Sequence, residues 1–373
     1  MTLTPTEPDF NPPLSDDDEP HNPDCETLVN PLASSGTETS ACDKATPAQE
    51  PGIMQSSYWF EDGNVILVAD DNIGFRVHRG ILAHHSSIFC DLFGVAQPEC
   101  GEALDGCPIV PLSDSADDLN QLMRAGSEHT HKQILSFSTA APLLELAHKY
   151  NIEHLSAEVL ARMRTVFCHQ LTTFAASAEF VAIYDSGEKV MCLKSAALMV
   201  TTKVDAIRAV NLIRLVGELA MLPMALYLCT LLPITTLLSG TTLTNGRVVQ
   251  LAQEDLIRCL EARTTLALRT HRHMERVTFE GSSAECTTTQ DCNTARQAIR
   301  LSISQMRDAI GSHRQAHALY NWERRIRRQP RLCNACVNYL IGVHHSSMRY
   351  VWDNLPADFH LSIPQWQVGA VVA

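Results

Sequence analysis

Several signatures of catalysis are missing from this sequence. It has no glycine-rich loop whose amides would cradle a phosphate, no Gly-x-Ser-x-Gly elbow for a nucleophile, and no His-Glu-x-x-His pair for a catalytic zinc. The two-cysteine, two-histidine spacing of DNA-reading fingers is absent too. Nucleotide hydrolysis, serine-based acyl transfer and finger-type DNA recognition therefore have no anchor, and the sequence reads as a non-enzyme. Bases are scarce where acids crowd: positions 1 to 51 hold eleven acids against Lys44 alone, and so contribute −10 of the formal −13. Such a leader is repelled by nucleic-acid phosphates and by anionic membrane surfaces, so neither is a default partner. Met1 to Pro13 also lacks the basic region and apolar core of a secretory signal. The 13 cysteines form no evenly spaced framework, and Cys192, Cys229 and Cys259 sit in apolar helical surroundings where a free thiol acts as a small hydrophobe. A reducing compartment, cytoplasmic or nuclear, is expected.

The length of 373 residues leaves room for a tail and two folded modules, and an apolar content of 45% is enough to give them cores. The tail is placed at residues 1–57. Its prolines, from Pro5 to Pro51, and the run Asp16-Asp17-Asp18-Glu19 leave too little apolar surface to offset the entropy of ordering, so a disordered acidic segment is expected.

Order is expected to begin at Tyr58-Trp59-Phe60. After the turn residues Glu61-Asp62-Gly63-Asn64, Val65-Ile66-Leu67-Val68-Ala69 reads as a buried strand. Asp70-Asp71-Asn72 then reverses the chain into Gly74-Phe75-Arg76-Val77-His78, a hairpin. Ser86-Ser87 offers an N-cap to a short helix with Ile88, Phe89, Leu92 and Phe93 on its apolar face and Gly94 at its end. Pro108-Ile109-Val110-Pro111-Leu112 is a third strand, placed at an edge by its prolines. Ser113 or Ser115 caps a helix bearing Leu119, Leu122 and Met123. Pro142 opens another with Leu143, Leu146, Ala147 and Tyr150, ended by Asn151, and a last helix carries Leu155, Val159, Met163, Val166 and Phe167. The pattern predicts an α+β module over residues 58–168, a small β-sheet flanked by α-helices.

The string Phe75-Arg76-Val77-His78-Arg79-Gly80-Ile81-Leu82, followed by His85-Ser86-Ser87-Ile88-Phe89-Cys90-Asp91-Leu92-Phe93, resembles the BTB/POZ family. That family shows a phenylalanine, a histidine three positions on with a basic residue often after it, a leucine, and a serine-led helix ending in a bulky pair. Phe75, His78, Arg79, Leu82, Ser86, Phe89 and Phe93 carry the match. The opening Trp59-Phe60-Glu61-Asp62-Gly63-Asn64, the segment from Gly106 to Ser115, and Lys149-Tyr150-Asn151-Ile152-Glu153-His154-Leu155 are similar to BTB proteins abundant in mushroom-forming fungi, the basidiomycetes. After Leu122-Met123 the chain departs from the family's leucine, tyrosine and glycine turn and reads Arg124-Ala125-Gly126-Ser127-Glu128-His129-Thr130-His131. The resemblance implies an adaptor that homo- or hetero-oligomerises, with itself or another BTB protein as partner and a dimer surface between Trp59 and Phe93. Some members dock a cullin-type scaffold, so a substrate-recruiting subunit of a ubiquitin ligase is the alternative, as is a BTB-type transcriptional regulator. His78 is read as a structural hydrogen-bonding residue at the hairpin's end and not as a general base, because the motif sets no acid or nucleophile beside it.

From Gln170 onward the chain reads as helix after helix, one marked by Ile207, Val210, Leu215 and Leu219 and another by Leu256, Cys259, Leu260 and Arg263, with breaks at Asn245-Gly246 and Gly281-Ser282-Ser283. Residues 169–373 are thus expected to form a mostly α-helical C-terminal domain. Leu219 to Leu238 carries no charge and is long enough to span a bilayer. Pro223 and Pro233 divide it, which favours short buried helices, each opened by a proline, over the transmembrane alternative. Two cysteine pairs stand apart: Cys286-x5-Cys292 in a threonine-rich loop, and Cys333-x2-Cys336 at a helix opening. Together they can complete an all-thiolate structural zinc site, with His313 and His317 as alternative ligands, although free thiols or redox chemistry fit the same spacing. Arg324-Arg325-Ile326-Arg327-Arg328 with Arg331 is the one dense basic cluster, open to reading as a nuclear import signal, a phosphate contact or a solvated helix end. Trp352, Leu355, Pro356 and Phe359 predict a closing helix docked on the domain.

Overall fold

The computed structural model describes residues 52–94, 103–127, 134–185, 188–243, 245–279, 281–309, 318–364 and 366. The acidic run of the expected tail, His313, His317 and the family departure from Glu128 to His131 lie outside the described residues.

Strand β1 (Met54–Trp59) falls mostly within the stretch assigned to the tail and pairs in parallel with β3 (Ile73–Val77). Order begins upstream of Tyr58 for a physical reason: Ile53 and Trp59 pack against Ile66, Val68 and Cys107 on the outer face of the sheet. β2 (Val65–Val68) runs antiparallel to β3, pairing Val65 with Val77 and Leu67 with Phe75. Its alternation splits cleanly, Val65 and Leu67 entering the main core while Ile66 and Val68 face β1's side chains, which is why all four positions are apolar. The reversal is built at Asn72, whose φ of 62° suits asparagine. A Cβ at Gly74 would lie 2.5 Å from Ile53, so glycine alone lets β1 approach.

β4 (Ala103–Leu104) and β5 (Cys107–Pro111) complete a sheet of order β1-β3-β2-β5-β4. The proline-marked strand is therefore not the edge. β4 covers only Cys107 and Pro108, so most of β5's outer side needs no amide from its prolines.

Helix α1 (Arg79–His85), which the sequence did not announce, precedes α2 (Ser87–Gly94). The Phe89 amide donates to Ser86 Oγ at 3.0 Å, the expected cap. Ser115 caps α3 (Ala116–Ser127), accepting from the Asp118 amide at 3.2 Å. After β6 (Leu135–Ser136), α4 (Phe137–Lys149) starts ahead of the Pro142 expected to open it, because Ser136 Oγ accepts from the Thr139 amide and the helix is already formed when Pro142 is reached. Asn151, at φ 50°, follows its end, and α5 (Glu153–Arg164) buries Leu155, Val159 and Met163.

The second half is mostly helical, but not from its start. After α6 (Leu171–Ser177), β7 (Glu179–Asp185), β8 (Glu188–Lys194) and β9 (Leu198–Thr201) form a meander that joins β6 in the order β6-β9-β8-β7. Leu198 and Val200 are buried between half-buried Met199 and Thr201, a period of two too short to register among helix-forming neighbours. Then come α7 (Thr202–Leu215), α8 (Leu222–Thr230) and α9 (Ile234–Ser239). Leu219 is no part of α7, which ends before Gly217 at φ 75°. Pro223 lies in the first turn of α8 and Pro233 caps α9, as the divided apolar run predicted, and α8 is buried along its whole length. No helix among the described residues is long and apolar enough to cross a membrane. A small hairpin of β10 (Thr241–Thr242) and β11 (Val248–Val249) leads to α10 (Gln253–Phe279), α11 (Thr289–Ala309), α12 (Glu323–Arg327) and α13 (Asn334–Asp358).

One buried cluster runs from Val65 to Trp366. α7 packs on α4, where Arg208 grips Glu145 through two hydrogen bonds of 3.1 and 3.0 Å. Trp352, Leu355 and Phe359 of the closing segment are fully buried, and the Trp366 indole donates to the Trp352 carbonyl at 3.0 Å. A second, smaller cluster joins Val277, Ile299, Trp322, Ile326 and Leu340.

Candidate metal centre and interaction face

The four cysteines that stood apart in the sequence converge. The Sγ atoms of Cys286, Cys292, Cys333 and Cys336 all lie within 4.8 Å of one another, with Cys286 and Cys333 at 4.0 Å. Four thiolates on one zinc sit about 3.8 Å apart, given Zn–S bonds of about 2.3 Å in a tetrahedron. A disulfide needs about 2 Å, so the spacing fits a shared ion and not a bridge. The sequence placed the first pair in a loop, but Cys292 lies in the first turn of α11, and Cys333 caps α13. Both helix N-termini turn partial positive charge toward the sulfurs.

The Cys333 amide donates to Cys292 Sγ at 3.4 Å. Amides of Cys336 and Thr287 bring the Cys333 thiol down to about 6, whereas burial pushes Cys336 up to about 12. For Cys286 desolvation opposes ionisation, but the Thr288 amide and the thiols of Cys336 and Cys292 outweigh it. Thiols that cannot all ionise together unaided are a set that a divalent cation resolves. The supporting groups, Thr288 Oγ1 at 3.5 Å from Cys292 Sγ and the Arg331 carbonyl at 3.8 Å, carry no signal in the spacing of the cysteines.

The motif of the first module is assembled just as closely. Phe75 and Phe89 are fully buried, Phe93 nearly so, and Leu82 packs at the core's margin. Ser86 Oγ, besides capping α2, donates to the Tyr150 carbonyl and ties α2 to the end of α4. The Arg79 guanidinium donates to the Phe93 carbonyl and lies over that ring at 5.4 Å. His78 Nε2 sits 3.1 Å from an Asp62 carboxylate oxygen, so an acid does stand beside it, supplied by the preceding turn. That hydrogen bond holds the Asp62 carboxyl below its ordinary range, and both groups reach solvent. Residues 59–166 match the family model of the BTB/POZ domain. Among curated proteins none matches the chain.

A BTB domain is a protein-interaction module, and this one covers under a third of the sequence. Its small sheet with flanking helices is followed by the mostly helical remainder. Around the motif, apolar side chains are left uncovered: Met54 and Ile81 are each 60% exposed, and Phe60, Ile88 and Leu92 are exposed as well. The sequence assigned Ile88 and Leu92 to the same buried face as Phe89 and Phe93, yet α2 splits them, the phenylalanines inward and the aliphatics toward solvent.

A buried histidine pair was not legible in the sequence at all. His344 Nε2 accepts from the Trp322 amide at 3.2 Å, and His344 Nδ1 lies 2.9 Å from His273 Nε2. The His273 ring also bonds the Ala318 backbone. The network therefore assigns one direction of donation, His344 Nδ1–H to His273 Nε2 and His273 Nδ1–H to the Ala318 carbonyl, with both rings neutral.

Proposed function

We propose that this chain is a non-enzymatic interaction protein, an adaptor that homo- or hetero-oligomerises through its BTB domain. The observation that carries the reading is the uncovered apolar set on β1, α1 and α2, where Met54, Ile81, Ile88 and Leu92 sit on the elements that also hold the family motif. Burying such side chains against a second molecule is favourable, and a twofold contact would bury each of them in both copies. In this reading residues 58–168, extended upstream to Met54 by β1, form the interaction module and 169–373 a helical domain, in a reducing cytosol or nucleus that keeps the thiols free for metal.

The full chain is expected to elute from size exclusion with light scattering at the mass of two copies. Ile88→Glu with Leu92→Glu places two charges in that contact and is expected to weaken association by at least about a hundredfold, since each lost apolar burial is worth roughly 1.5–3 kcal/mol. A parent chain that is monomeric at micromolar concentration and captures neither a BTB protein nor a cullin would sink the proposal. Capture of a cullin without self-association selects the ubiquitin-ligase alternative.

We also propose that Cys286, Cys292, Cys333 and Cys336 hold one structural zinc ion. The all-sulfur donor set leaves no position for a substrate, so the ion's chemistry here is to cross-link the segments bearing the thiols. Metal analysis of the purified chain is expected to find one zinc per chain, and none after Cys333→Ser with Cys336→Ser. Four reduced thiols without metal in the parent would refute it.

A further inference from the structure

We propose a phosphopeptide-binding site in the helical half: Arg324 and Arg328 clamp a phosphorylated serine or threonine, and the flanking peptide residues occupy two cavities that both arginines line. The site shares no residue with the β1, α1 and α2 face or with the thiols, so it stands or falls apart from the reading above.

The larger cavity encloses about 790 Å³ across the end of the sheet where β7 begins and β8 finishes, with α12 as its other wall. That lies within the size of ligand sites, about 300–1,000 Å³. The smaller, about 380 Å³, is lined by residues between 321 and 328 alone, and Asn321, Arg324 and Arg328 belong to both. Arg328 is the C-cap of α12, and its amide donates to the Arg324 carbonyl at 3.3 Å. The two residues thus stand one helical turn apart on one face, at the spacing where side chains meet, about 5–6 Å between Cβ atoms. Two guanidinium forks so placed can close on the oxygens of one phosphate.

Of the basic cluster, these two arginines carry the charge left uncompensated. Glu323, the acid of α12, is engaged by Arg327 at 2.6 Å and by His345 at 3.2 Å. The acid on the far wall, Glu179, stands directly across the β7–β8 pair from Lys194, where opposite charges offset each other. Arg324 and Arg328 are exposed with no carboxylate in ion-pair range among the described residues. The helix dipole offsets only about half a charge, and like charges one turn apart repel. A carboxylate brings a single charge, whereas a phosphorylated hydroxyl brings about −1.5 to −2 and three acceptor oxygens, which matches two guanidiniums. A compact phosphate ester seated in one cavity would leave the other unused. A peptide continues on both sides of its phosphorylated residue, and the small side chains of Ala175, Ala176 and Ala178 leave room for its own. The clamp is also fixed in advance, since the Trp322 amide donates to His344 at 3.2 Å and Ile326 is buried in the second cluster.

The test passes a degenerate pool of short peptides with a central phosphoserine over the immobilised full chain, beside the same pool with serine. The best-retained sequence is then titrated by fluorescence anisotropy. The phosphorylated pool is expected to be retained at least about tenfold better, and Arg324→Gln with Arg328→Gln to lose at least about tenfold in affinity, as for loss of close charge pairs. A thermal melt checks the variant's fold, with Arg324→Gln alone in its place, and a smaller loss expected, if the pair unfolds. The proposal is overturned if the two pools are retained alike or if the folded glutamine variant binds like the parent. It is equally overturned if glucose 6-phosphate displaces the peptide at equal concentration, or if an oligonucleotide of equal charge binds more tightly than the peptide.

Discussion

If the proposed zinc site is loaded, stripping it with a strong chelator, or replacing Cys333 and Cys336 together by serine, is expected to loosen the described residues between 281 and 340 while leaving the BTB sheet intact. The reason lies in the two cores. The sheet residues Val65, Leu67, Phe75 and Val77 belong to the large cluster, which extends through α8 and α10 to Trp366. The segment around the thiols relies mainly on the small cluster of seven buried side chains between Val277 and Val343, far fewer than the main core offers to fix α11, α12 and the start of α13. Zinc in isolated small domains supplies on the order of 10 kcal/mol of folding energy, of which part is recovered here by packing that survives without it. A local loss of at least about 3 kcal/mol, read as a hundredfold or greater rise in amide exchange over those same residues, is the expected result. Exchange over 65–77 serves as the internal control. Unchanged protection near Cys292 and Cys336 after complete metal removal would show that the cross-link is dispensable.

What the sequence disclosed follows the range over which its signals act. The β2–β3 hairpin was legible because one residue after another speaks for it: an apolar run, Asn72 at the reversal, and a strict alternation in Gly74 to Val77. The serine caps at Ser86 and Ser115 were legible for the same reason, since donor and acceptor are three residues apart. β1 was missed because its burial depends on Ile66 and Val68, a partner the local composition does not reveal. The β7–β9 meander was missed although Phe180, Val181, Ile183 and Tyr184 of β7 favour strand, because no turn residues beyond Ser186-Gly187 mark it off from the helices on either side, and β9 is only four residues long.

The candidate sites divide in the same way. The cysteine spacing named four candidate ligands, but their convergence across 47 residues between Cys286 and Cys333 is a tertiary fact. Exposed Ile88 and Leu92 fall in the stretch expected to form the dimer surface, yet helical periodicity alone could not say which of Ile88, Phe89, Leu92 and Phe93 the core would claim. Phe89 stacks on Tyr150 at 4.4 Å and is taken inward, and the aliphatics are left outside by the geometry of α4 and not by anything in α2. The paired histidines are 71 residues apart, with no motif to join them.

That pair supports the second large effect. Acidification from neutral pH to 5 is expected to destabilise the fold by about 4 kcal/mol through His273 and His344. Burial, with Arg276 nearby, lowers His273 to about 4, and burial, with His273 and His345 beside it, lowers His344 to about 3, both from 6.5. A depressed folded-state value means that the unfolded chain takes up the proton first. The stabilisation from the neutral pair is fully present above 6.5 and is lost as pH falls below it, at about 1.4 kcal/mol per unit for each ring. At pH 5 each ring is still neutral in the fold and protonated in the unfolded chain, which gives about 2 kcal/mol apiece. Below about 4 a proton on His273 removes the acceptor for His344, and the link from α13 through α10 to Ala318 opens. Thiolate protonation would release metal in the same range, so the comparison that isolates the histidines is with His273→Leu and His344→Leu together. That variant is expected to be less stable at pH 7, with the Trp322 amide left without its acceptor, but to lose far less between pH 7 and 5 in urea titrations. Equal losses in parent and variant would assign the acid sensitivity to the thiols or carboxylates instead.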